Sequence, residues 1–167
     1  MPSDLYLPHA CRVAMALTRE HGGVRPANTL ARRKLIQQAI EENWIEARLI
    51  NGVHPLTLRG FKIYVTLEKG AARYGFSETT KLRRHNDNLA RQISFVKADL
   101  DIPPAKRDEL YRWAFDNDVC FRGVQVVVDI ETYSAAAVKM GTAPMKTVFQ
   151  INQDDYPLFA LRWSGNQ

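Results

Sequence analysis

The chain has 167 residues, 46% apolar and 25% charged, which fits one domain of ordinary size or two small ones and excludes a disordered polyelectrolyte. No run approaches the ~18 to 20 apolar residues that span a bilayer, and Met1–Pro8 has no basic region followed by a long apolar run, so neither a membrane span nor a signal peptide is expected. Cys11 and Cys120 lie far apart, without CxxC or Cys/His spacing, the pattern of two reduced, buried thiols in a cytoplasmic protein rather than of a disulfide framework.

The net charge of +5 is unevenly spread. Residues 1–76 carry 11 Lys and Arg against 6 Asp and Glu, residues 77–122 carry 9 against 8, and residues 123–167 carry 3 against 4. The basic excess therefore sits in the N-terminal part, as in a chain with one polyanion-facing region and another region with a separate role.

In chain order, Met1–Pro8 reads as an extended lead-in. His9–His21 is a predicted helix, with Ala10, Val13, Ala14 and Leu17 at helical spacing and Gly22-Gly23 as its stop. Asn28 or Thr29 can cap the next helix, which runs to about Asn43. Its apolar stripe is Ala31, Leu35, Ile36, Ala39 and Ile40. At 100° per residue, Arg33, Lys34, Gln37, Gln38 and Glu41 fall around the opposite side, while Arg32 in the first turn reaches past the end. Trp44–Ile50 reads as a strand, Asn51-Gly52 as a turn, and Phe61–Val65 as a second strand rich in β-branched and aromatic residues. Thr66 is a candidate cap for a short helix over Leu67–Tyr74.

Ser77–Asp101 reads as a long helix. Leu82, Leu89 and Val96 recur every seven residues, and Asn86, Ile93 and Leu100 follow four residues after each. Such a seam serves either as the core face of a monomer or as a dimerisation surface in which Asn86 fixes the register. Ile102-Pro103-Pro104 breaks that helix, and Pro104 suits the first turn of the next, which runs to about Asp118 with Leu110, Trp113 and Ala114 inward. Gly123 ends the segment. Val124–Thr132 is a predicted strand, Ser134–Met140 is helix-compatible, and Met145–Asn152 and Leu158–Trp163 are two further strands. The fold class is α+β, in three parts: an N-terminal nucleic-acid-binding module over 1–76, central helices over 77–122, and a small mixed α/β sheet region over 123–167.

Ala39-Ile40-Glu41-Glu42-Asn43-Trp44-Ile45-Glu46, a hairpin with a long tip, and Tyr64-Val65-Thr66-Leu67-Glu68-Lys69-Gly70 follow one another in a familiar order. In these residues the chain resembles the winged helix-turn-helix superfamily of bacterial regulators. The resemblance implies a recognition helix at 29–43, a wing at 45–65, double-stranded DNA as partner, and regulation of transcription without catalysis. The residue chemistry agrees. Arg33, Lys34, Gln37 and Gln38 supply donors for base edges and phosphates, since glutamine can pair with adenine and arginine with guanine. Arg25 and Arg32 stand near the helix start, where phosphates are met. His54, Arg59 and Lys62 lie in the hairpin, placed for backbone or minor-groove contact. With two modules held by the 77–101 helix, a homodimer would read two half-sites.

Two other classes compete. A non-enzymatic interaction protein would use the 77–122 seam and the Tyr111/Trp113/Phe115 cluster for a protein partner. A metal-dependent nuclease would use Asp129 and Glu131 at the end of Val126–Thr132, but only 35 residues follow Thr132, too few for the later carboxylates such a fold requires. His9, His21, His54 and His85 show no ligand spacing, no glycine-rich phosphate loop or GxSxG appears, and neither a metal nor a cofactor is expected.

Overall fold

Helix α1 (His9–His21) turns Ala10, Cys11, Ala14, Met15 and Thr18 to one side, and all five are buried. Thr18 satisfies its hydroxyl by donating to the Ala14 carbonyl at 2.8 Å, and Gly22, at φ 76°, closes the helix in the left-handed region. These features belong to a computed structural model that describes residues 6–67, 80–98, 102–127 and 145–164.

Helix α2 (Leu30–Glu41) is capped by Thr29, whose hydroxyl accepts from the Arg32 amide at 3.3 Å. It rests on α1 through a narrow stripe in which only Ile36 and Ala39 are buried. Beyond it the expected hairpin is largely absent. The Trp44 and Ile45 amides both turn back to the Ala39 carbonyl, and within the following segment the pairing is reduced to the isolated bridges Ile45↔Leu56 and Ile50↔Val53, with a third, Val24↔His54, to the loop after α1. The turn itself is as expected: Asn51 (φ 50°) and Gly52 (φ 86°) both take positive φ, the geometry that favours an Asn-Gly pair.

The expected strand Phe61–Val65 lies inside helix α3 (Leu58–Leu67). Thr57 starts this helix: its hydroxyl accepts from the Gly60 amide at 3.1 Å and donates to the Trp44 carbonyl at 3.1 Å. Phe61, Ile63, Tyr64, Val65 and Thr66 are all buried. Their β-branched and aromatic character thus reflects burial on nearly all sides of a central helix rather than a pleated surface. Gly60 is needed where α3 crosses the 44–45 turn, because a Cβ there would lie 2.0 Å from the Trp44 carbonyl oxygen. Thr66 is within α3, donating to the Lys62 carbonyl. From Glu68 on, the expected Leu67–Tyr74 helix lies outside the described residues.

Helix α4 covers only Thr80–Arg91, and the chain then enters strand β1 (Phe95–Ala98). The seven-residue seam is therefore not one helix face. Leu82, Asn86 and Leu89 are buried in the chain's own interior, and Asn86 donates to the Gly22 carbonyl at 3.2 Å. Ile93 lies past the helix end, Val96 is in β1, and Leu100 lies outside the described residues. Pairing with a strand from the C-terminal part overrides the apolar repeat, and the continuous dimerisation surface disappears with it.

A short 3-10 turn (Pro104–Lys106) leads into α5 (Arg107–Asp116). Strand β2 (Phe121–Val127) starts earlier than expected and contains Gly123, while β3 (Met145–Asn152) spans the expected residues. The sheet order is β1-β3-β2, with both pairs antiparallel. Phe95 lies opposite Asn152, and Phe121 opposite Ile151. The expected strand Leu158–Trp163 is instead helix α6 (Tyr156–Trp163). Pro157 stands in its first turn, where a missing amide does no harm, and Phe159 and Trp163, four residues apart, are buried together.

The protein is thus mixed α+β, with six α-helices and one three-stranded antiparallel sheet among the described residues. One core joins α1–α4 and includes Phe115 and Cys120; the second joins the sheet with α5 and α6. Tyr111 packs against both. The expected division at 122/123 falls inside β2, and β1 of the central part pairs with β3 of the C-terminal part. No described helix is long and apolar enough to cross a membrane.

Candidate nucleic-acid interface

The most exposed basic element the sequence singled out is α2. Residues 28–34 are all exposed, as are Gln37, Gln38 and Glu41. The buried stripe at Ile36 and Ala39 fixes the rotation of the helix, so Lys34, Gln37 and Gln38 face away from α1, with Arg33 at the edge of that face. Arg32 is exposed in the first turn and Arg25 in the preceding loop. Among the described residues, none of Arg25, Arg32, Arg33 and Lys34 has a carboxylate within ion-pair distance.

Arg33 is oriented by its Nε, which donates to the Ala27 carbonyl at 3.0 Å and leaves the terminal nitrogens of its guanidinium for other acceptors. Gln37 donates to Glu41 at 3.3 Å, leaving its own carbonyl oxygen to accept. Both residues edge an open groove of about 680 Å³, whose apolar lining includes Pro26, Ala27, Ile36, Ile40 and Ala47 and whose far side carries His54. His54 is held twice. Its backbone pairs with Val24 through bonds of 2.7 and 2.8 Å, and its Nδ1 lies 3.0 Å from the Glu46 carbonyl. A carbonyl can only accept, so Nδ1 carries the proton and, in the neutral ring, Nε2 is an acceptor.

The fold therefore brings Arg33, Gln37 and His54 to one groove and leaves Arg25, Arg32, Lys34 and Gln38 exposed around it. It takes Arg59 and Lys62 elsewhere, because they stand on α3 and not on a wing. Arg59 donates to Asp118 at 2.9 Å and lies 5.9 Å from the centre of the Trp44 ring. Lys62 sits 2.9 Å from Asp155 Oδ1 and 3.3 Å from the Asp118 carbonyl. Asp155 in turn accepts at Oδ2 from the Cys120 amide (2.9 Å) and the Asn152 side chain (3.1 Å). These two cations join α3 to the 118–120 turn and to the end of β3, and they leave the interface for that structural reason.

The Tyr111/Trp113/Phe115 cluster is consumed internally. Tyr111 packs on Phe121 at 4.9 Å, Trp113 on Phe159 and Trp163 at 6.2 and 6.0 Å, and Phe115 is buried. Asp129 and Glu131 lie outside the described residues. Both cysteines are free and fully buried. Burial pushes each thiol up to about 12, only partly opposed by Arg59 near Cys11 and by the Thr66 hydroxyl near Cys120, so neither is an activated nucleophile.

The sequence reading passed over the cations of α4. Lys81, Arg83, Arg84 and Arg91 are all exposed, and the charge balance hid them because the acids of residues 99–118 were counted in the same window.

No family model, curated protein or solved structure matches the chain. The winged-helix resemblance is thus without a supporting relative, and the second strand of its wing is helix α3.

Proposed function

We propose that this protein binds double-stranded DNA through the exposed face of α2 and the groove beside it, and that it acts as a sequence-specific regulator without catalysis. The observation that carries this reading is the standing of α2: a helix anchored by two buried side chains, with Arg32, Arg33, Lys34, Gln37 and Gln38 exposed together. A helix of this width enters a major groove, where glutamine and arginine can pair with base edges and lysine can meet phosphates. Glu41 lies on the same face at the far end and holds Gln37, so the cations face the duplex from one end of the helix. The wing is not part of the proposal. In its place the compact turn 45–56 forms the opposite wall of the groove with Ala47 and His54.

The test is an anisotropy titration of a labelled duplex at several salt concentrations. Three phosphates neutralised by α2 contribute about −2.7 to the slope of log affinity against log salt, which alone is about a 40-fold loss between 50 and 200 mM salt. Arg32→Gln with Lys34→Gln weakens binding across all sequences. Selection of bound duplexes from a random library then reads out the preferred site. Binding that is absent, or that does not respond to salt, refutes the proposal.

A further inference from the structure

Helix α4 exposes a row of cations with no ion-pair partner among the described residues. Lys81, Arg84, Asn88 and Arg91 follow one another at spacings of three, four and three residues, so they share one helix face. Opposite them, Leu82, Asn86 and Leu89 fix the helix rotation by their burial. Lys81, Arg84 and Arg91 are exposed, and among the described residues no carboxylate lies within ion-pair distance of any of them. Arg91 donates to the Asn88 amide oxygen at 3.4 Å. Asp87 is the sole carboxylate on α4. Lys81 and Arg84, three residues apart, are like charges on one face, while Asp87 lies three residues after Arg84 and four before Arg91 at the edge of that face.

The stripe is also connected to the 45–56 turn that walls the α2 groove. His85, on the next turn of α4 after Lys81, bonds the Leu56 carbonyl through Nε2 at 2.8 Å. Its Nδ1 lies 3.4 Å from Arg48 Nη2 in the turn itself, where Arg48 is also paired with Glu46 at 2.5 Å. On the other flank, Ala47 and His54 of the same turn face Arg33 and Gln37 of α2. The two basic helices thus border one short segment, fixed to each by hydrogen bonds to backbone carbonyls.

We infer that the Lys81–Arg84–Arg91 face of α4 is a second DNA-contacting surface, which grips the phosphodiester backbone of the duplex that α2 reads. This inference rests on the DNA-binding reading above. Lys81 and Arg91 are separated by roughly 15 Å along the helix axis, room for three side chains to meet three separate phosphates. The face offers three cations and one amide, with Asp87 at its edge, so it supplies affinity and orientation without sequence preference.

The experiment uses the full chain with Lys81, Arg84 and Arg91 all changed to glutamine, beside a variant with the same three changed to arginine, lysine and lysine. A labelled 20-base-pair duplex is titrated from 50 to 200 mM potassium chloride, and melting temperature and circular dichroism verify the fold. The glutamine variant melts at the same temperature or higher, loses about 2 to 3 units of salt slope, and binds at least tenfold more weakly at 100 mM salt with its sequence preference unchanged. The charge-conserving variant binds as the parent does. If the glutamine variant keeps the parental slope and affinity while Arg32→Gln with Lys34→Gln loses them, the α4 surface is refuted and the α2 reading stands. If the parent itself shows no salt-dependent binding, both fall together.

Discussion

Lys62 separates a structural role from a DNA contact. Its ammonium lies 2.9 Å from Asp155, with the two side chains only 16% and 12% exposed. Removing one partner of a buried, hydrogen-bonded pair costs about 3 to 5 kcal/mol, because the other charge is left without compensation. Some water still reaches this pair, so the lower end applies, and Lys62→Met costs about 3 kcal/mol. For a chain of this length that is a fall of roughly 6 to 12 °C in melting temperature. Asp155→Asn loses the charge but keeps an oxygen that can accept from the Cys120 amide, 2.9 Å from the carboxylate in the parent, and it strands the lysine instead. The double variant is neutral at both positions, so it is no less stable than either single variant, with a coupling of about 1 to 3 kcal/mol. Urea denaturation of the four proteins measures each corner of that cycle. Additive effects in the double variant, or single effects below about 0.5 kcal/mol each, refute the clamp. So does a Lys62→Met protein of full stability that has lost affinity for DNA.

Gly60→Ala places a methyl group 2.0 Å from the Trp44 carbonyl oxygen, which is backbone and cannot swing aside; a loss of about 3 kcal/mol is expected by urea denaturation, whereas Gly52→Ala, which meets nothing within 4 Å and suffers only its φ of 86°, loses about 1 kcal/mol. The buried thiols give a pH dependence of definite sign. Folding raises Cys11 and Cys120 from 9.0 to about 12, so their contribution is complete below pH 9 and is lost as pH climbs through 12. Urea midpoints fall across that interval, and Cys120→Ala, though less stable at neutral pH, falls less steeply. At pH 8 a thiol reagent modifies neither cysteine until denaturant is added.

The elements the sequence revealed are those whose ends carry local chemistry and whose faces differ. Thr29 and Gly22 mark the boundaries of α2 and α1, Asn51-Gly52 marks its turn, and β3 alternates cleanly enough to be read to its last residue. Helix α3 reads as a strand because it is buried on nearly every side: without a polar face, Phe61–Val65 has no helical period to display, and only Thr57 as a cap betrays it. Helix α6 reads as a strand for a related reason. Pro157 looks like a strand breaker, but in the structure it opens a helix whose Phe159 and Trp163 pack on Trp113, more than forty residues earlier in the chain. The seam at 82–100 was a true apolar repeat whose continuation past Arg91 was decided by β3, more than fifty residues away. At the candidate site, the α2 face was legible because amphipathic helices show their exposed side. The removal of Arg59 and Lys62 was not, since it depends on Asp118 and Asp155 arriving from remote elements. The α4 stripe was legible in principle, and a charge window of one helix length would have found it.

The central claim is that α2 faces the duplex. Amide chemical-shift mapping of the labelled protein, before and after addition of a duplex obtained by selection, tests it most directly. The account predicts the largest changes at 25–38 and at His54, with a second set along 81–91, and little change at Lys62 or in α6. Changes confined to α6, where Leu158 and Leu161 are exposed, or no changes at a duplex concentration that saturates the anisotropy titration, would contradict it.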